Sequence, residues 1–90
     1  MRTGIKNISG LLYELKKNGY ELDSINHTGE NSFNAIVTYK HIPACNISID
    51  LGGQSYIEDV EETSLEPKVL TDLSDRISPY TLSKRDQSNN

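Results

Sequence analysis

The chain has no tryptophan, one phenylalanine and one cysteine, and each scarcity removes a class of protein. With Cys45 alone no intrachain disulfide can form, which excludes the disulfide-stapled scaffold of small secreted domains and favours a reducing, cytoplasmic setting. No stretch approaches the run of about 18 apolar residues that spans a bilayer, and Met1–Asn7 is not followed by the apolar core of an export signal. Without such a signal the three sequons at Asn7, Asn26 and Asn46 read as chance matches in an Asn- and Ser-rich chain. Cations are also short: nine Lys and Arg against thirteen Asp and Glu leave a net charge of -4. That balance argues against nonspecific nucleic-acid binding, whose affinity comes from cations on phosphates.

What remains is enough to fold. Leu, Ile, Val and Phe together make 22 of the 90 residues, above the roughly 20% below which disorder becomes the default. A chain of this length buries only about 60 to 65% of its unfolded surface, so it holds one core and modest stability. We expect one α+β domain over residues 1–82 and a flexible polar tail over 83–90. A core this thin leaves self-association into a homodimer open.

Ile5, Ile8, Leu12 and Leu15 recur at helical spacing, with Leu11 widening the stripe, and Asn18-Gly19 supplies the stop. Tyr20–Ile25 reads as a short strand, and Asn26–Asn31 as a turn-forming loop. Phe33, Ala35, Val37 and Tyr39 alternate as one strand face, His41–Ala44 breaks the run, and Cys45, Ile47, Ile49 and Leu51 alternate as the next. Gly52-Gly53 suits a tight hairpin with positive φ, leading into a charged fourth strand, Gln54–Val60, expected at a sheet edge. Leu65-Glu66-Pro67 opens a second helix with Val69, Leu70, Leu73 and Ile77 as its stripe, ended by Ser78-Pro79. The expected architecture is an N-terminal helix, a three- to four-stranded antiparallel sheet and a C-terminal helix.

Chemistry is sparse. His41 and Cys45 are the one pair that suggests a nucleophile or a zinc ligand set, but Cys45 falls on an apolar strand face, where a thiol acts as a small hydrophobe. His27 stands in a polar loop with no recognisable triad partner. These patterns identify no catalytic residue, metal ligand or cofactor. Charge distribution says more. Arg2, Lys6, Lys16 and Lys17 make the first twenty residues basic, whereas Glu58, Asp59, Glu61, Glu62, Glu66, Asp72 and Asp75 oppose only Lys68. The acids match no calcium-loop spacing, and strand neighbours point to opposite faces. A solvated edge and a docking surface that imitates phosphates are both compatible with them. Tyr56, one of five tyrosines, is the natural interface anchor beside them.

The order helix, three strands, helix resembles double-stranded-RNA-binding domains, and Leu15-Lys16-Lys17-Asn18-Gly19-Tyr20-Glu21 resembles the opening of HicA-type mRNA interferase toxins, which share that fold. The toxins carry a catalytic histidine after a Gly-Ser run on a basic strand. Ile25-Asn26-His27-Thr28-Gly29 has neither that order nor the basic residues, and Glu61, Glu62 and Glu66 stand where the RNA-binding domains cluster lysines. In size and charge split the chain is similar to small acidic α+β proteins of phages and mobile elements, including some anti-CRISPR inhibitors.

The expected function is therefore a non-enzymatic protein-binding module. Its site is Tyr56, Glu58, Asp59, Glu61, Glu62 and Glu66, docking on a basic surface of a protein such as a nucleic-acid-handling enzyme. The alternatives are a divergent RNA-acting toxin using His27 and a self-assembling structural subunit.

Overall fold

The computed structural model describes residues 2–82; the expected tail at 83–90 lies outside them. The first helix, α1, spans Ile8–Lys17 and starts later than its apolar stripe suggests, because the Asn7 side chain caps it, Oδ1 accepting from the Gly10 N–H at 2.9 Å. Ile5, expected as the stripe's first member, is instead buried in the approach to the helix, where its N–H donates to the Ser55 carbonyl at 2.9 Å. The inward residues are Leu11 and Leu15, flanked by half-buried Ile8 and Leu12. Leu11 is thus the centre of the stripe and not its margin. Gly19 closes the helix at φ 86°, the left-handed conformation expected of it.

Five strands follow or precede α1, one more than the largest number expected: β1 (Arg2–Gly4), β2 (Tyr20–Gly29), β3 (Ser32–Tyr39), β4 (Ile42–Asp50) and β5 (Tyr56–Asp59). They form one antiparallel sheet in the order β1-β5-β4-β3-β2. The charged strand expected at the edge, β5, is therefore interior. Arg2, Thr3 and Gly4 pair with Glu58, Ile57 and Tyr56, and Leu82 in turn donates to the Gly4 carbonyl at 2.8 Å. A three-residue strand carries no periodicity, and its partner lies more than fifty residues away, so this pairing has no local signal.

Three turns also differ from expectation. The polar Asn26–Gly29 segment belongs to β2, reached through a register shift after Asp23 where Ser24 takes φ 54°, and only Glu30-Asn31 makes the turn. Ile42–Ala44 is the start of β4 and not a break; Pro43 sits beside a register shift opposite Thr38, where a missing N–H is tolerated. The reversal is made by Lys40-His41, both at positive φ (51° and 70°), as a type I′ hairpin turn requires. Gly52 and Gly53 do not take left-handed φ. Their turn is built on Asp50, whose Oδ1 accepts from the Gly52 N–H at 3.0 Å.

Strand alternation sorts the sheet into two faces. Tyr20, Ala35, Val37, Cys45, Ile47, Ile49 and Ile57 point inward and are buried beneath the helices. Val37 and Leu11 are completely buried, each stabilising the fold by about 1.5 to 3 kcal/mol through water exclusion. Glu21, Asp23, Asn34, Ile36, Thr38, Asn46, Ser48, Tyr56, Glu58 and Arg2 fall on the other face, which no element among the described residues covers.

The second helix, α2 (Pro67–Ile77), opens at Pro67 as expected and runs into a short 3-10 turn, Ser78–Tyr80. It leans on α1. Arg76 reaches Glu14 at 3.7 Å, Tyr80 donates to Glu14 at 3.4 Å, and the Tyr80 ring lies so close to Gly10 that a Cβ there would stand 2.6 Å from it.

Candidate functional site

Because α2 rests on α1, Leu73 is its one buried residue and the helix stands off the far half of the sheet. The gap is a cleft of about 670 Å³ floored by Cys45 and Ile57 and walled by Leu70 and Ile77. Asp59 lines it from β5 and Asp75 from α2, and Thr3, Thr71 and Ser74 add hydroxyls, so a trough of mixed polar and apolar lining carries carboxylates on two sides.

The β-alternation that builds this cleft divides the expected binding residues. Asp59 shares the inner face of β5 with Ile57, opposite Cys45. Tyr56 and Glu58 face the other way. There the Arg2 guanidinium lies 4.0 Å from the Tyr56 ring centroid and its Nε 3.6 Å from Glu58, so this acid is partly neutralised. Glu61 and Glu62 are exposed in the loop that follows Asp59, and Glu66 is the N-cap residue of α2, 3.6 Å from Lys68. Of the expected binding residues the structure therefore places only Asp59 in the cleft lining; Glu61 and Glu62 stand in the loop between its lining residues Val60 and Thr63, and Tyr56, Glu58 and Glu66 lie outside it. Thr63 and Ser74 line the cleft without having stood out in the sequence, and Asp75 joins them although it was not among the expected binding residues. Asp75 was legible as part of the acidic stretch; which acids share a lip depends on how α2 docks.

Cys45 is free and buried. Burial, reinforced by the Asp59 carboxylate, pushes its thiol up to about 12, so the thiolate is suppressed near neutrality. His41 is exposed in the β3–β4 turn, away from the buried Cys45, and the two form no pair. His27 lies in β2 beside Phe33, ring centroids 6.2 Å apart, with no ion pair or hydrogen bond to its imidazole among the described residues.

One donor cluster went unrecognised in the sequence. Glu21, Asp23 and His41 bring ligand-type atoms within 4.8 Å of one another on the open face. Two acids spaced i, i+2 on a strand were the local half of that signal; His41 joins them only through the hairpin. No helix among the described residues is long and apolar enough to cross a membrane. Comparison with known proteins finds no matching family model, curated protein or solved structure.

Proposed function

We propose that this chain is a non-enzymatic binding module that accepts a basic, partly apolar segment of another protein at the cleft between β5 and α2. The observation that carries this reading is the pair Asp59 and Asp75 lining a trough of mixed polar and apolar character, with Glu61 and Glu62 exposed in the loop that follows Asp59. None of the four is paired with a cation among the described residues. Four nearby acids are engaged by cations instead: Glu58 with Arg2, Glu66 with Lys68, Asp72 and Glu14 with Arg76. Unpaired carboxylates beside apolar surface suit a partner offering Lys or Arg around an aliphatic anchor. A protein that normally grips phosphates has such a surface, so the chain acts as an inhibitor that occupies a nucleic-acid-handling site.

The test is capture of partners from the native host's lysate, at about 50 mM and about 300 mM salt, by the wild-type chain and by a variant reversing Asp59, Glu61, Glu62 and Asp75 to Lys. A retained protein that is released by salt, lost with the variant and displaced by competing nucleic acid supports the reading. Retention indifferent to all three refutes it.

A second reading has its own observation. The outer edge of β2 pairs with no strand among the described residues, and Leu12, Leu15, Tyr20 and Leu22 form an apolar groove of about 310 Å³ beside it. Such an edge favours self-assembly by strand addition. Light scattering that shows only monomer at all concentrations removes it.

A further inference from the structure

We propose that Glu21, Asp23 and His41 form a binding site for a first-row divalent cation, with Zn²⁺ as its best-fitting occupant. The site is separate from the cleft and does not depend on the docking reading. Glu21 and Asp23 are two residues apart on β2 and so project from the same, uncovered face of the sheet. His41 arrives from the β3–β4 turn, whose backbone passes through positive φ at Lys40 and His41. One potential ligand atom from each residue lies within 4.8 Å of the others. Donors about 2.1 Å from a tetrahedral zinc stand roughly 3.4 Å apart, so the three need to close by up to about 1.4 Å. Glu21 and His41 are exposed and can make that movement without disturbing the core.

Two further observations point to a cation. Two carboxylates are held together with no Lys or Arg bound to either among the described residues, and the neighbouring Lys40 lies over the Tyr39 ring at 5.5 Å. A positive ion would relieve that repulsion. Asp23 is also oriented: Thr38, only 4% exposed, donates from Oγ1 to Asp23 Oδ2 at 2.9 Å and leaves Oδ1 free, the arrangement in which an outer hydrogen bond aims a carboxylate ligand. The donor set selects the ion. Two carboxylates and an imidazole are too few oxygens for Ca²⁺, and Mg²⁺ seldom takes imidazole, whereas Zn²⁺ accepts both donor types. Three protein donors leave a coordination position open to water.

Calorimetric titration of the full chain with Zn²⁺, with Mg²⁺ and Ca²⁺ as comparison ions, tests the assignment. One equivalent of Zn²⁺ binds and Mg²⁺ and Ca²⁺ do not compete. Asp23→Asn and His41→Asn abolish measurable binding, the latter chosen because Asn tolerates positive φ and preserves the turn. Thr38→Val weakens binding about tenfold. Zinc shifts the NMR signals of the His41 imidazole and leaves those of His27 in place. Absence of Zn²⁺ binding overturns the proposal. So does binding that survives in His41→Asn, or that disappears on His27→Ala or Cys45→Ser.

Discussion

The two helices cover the same sheet face but are seated differently. α1 enters β2 through Asn18-Gly19 and buries Leu11 and Leu15 against the strands beside it. α2 is reached through residues 60–66, buries Leu73 alone and meets α1 where Arg76 and Tyr80 reach Glu14. A helix tied to its strand by a two-residue link is forced onto the sheet and makes core. One reached by a longer loop can lodge against its neighbour and leave a cleft. The candidate docking site lies where the packing is least complete, as ligand sites commonly do.

The sharpest way to break this comparison is to truncate one leucine in each helix. Leu11→Ala removes a completely buried side chain with nothing free to refill the space, and about 3 to 4 kcal/mol of stability should go with it. Leu73→Ala borders a cleft that is already open, and the expected cost is smaller, about 2 kcal/mol. Urea denaturation measures both, and equal losses would mean that α2 is seated as firmly as α1.

Cys45 sharpens the picture of the cleft floor. Its thiol, ordinarily at 9.0, is pushed up to about 12 by burial and by Asp59. The unfolded chain therefore loses this proton first as pH rises. The stabilisation is whole below pH 9 and drains away between there and about pH 12, at up to about 1.4 kcal/mol per pH unit. Thermal melts of wild type and Cys45→Ala between about pH 8 and pH 11 isolate the effect, the wild type falling more steeply. Parallel curves would show a floor open to water.

The smallest effect lies on the well-packed half. Lys40 holds φ 51° in the β3–β4 turn, a conformation that Asn adopts more readily. Lys40→Asn should stabilise the chain by about 0.5 to 1 kcal/mol in the same urea assay. A loss instead would show that the Lys40 contact with Tyr39 outweighs the backbone strain.

Legibility followed the range of the interactions. α1, the alternating faces of β3 and β4 and the opening of α2 at Pro67 were readable because each depends on neighbours within a few residues, although Leu51, expected as the last inward residue of β4, lies past its end and is exposed. β1 was invisible because its partner β5 lies across the whole fold, and β5 was placed at an edge for the same reason. Asn26–Gly29 looked like a loop because its residues are polar, and it is a strand because β3 supplies the hydrogen bonds. The acidic run was plain in the sequence, but alternation on β5 sends Glu58 to Arg2 and Asp59 to the cleft.

The sequence by itself determined an α+β chain with a helix near each end, a cysteine on a buried strand face and an acidic segment beside the second helix, since composition and short-range periodicity suffice for these. Tertiary structure alone decided that the sheet has five strands, that α2 leaves a trough beneath it, and that Glu21, Asp23 and His41 meet. Those depend on strand register and helix docking, where the deciding contacts join residues far apart along the chain.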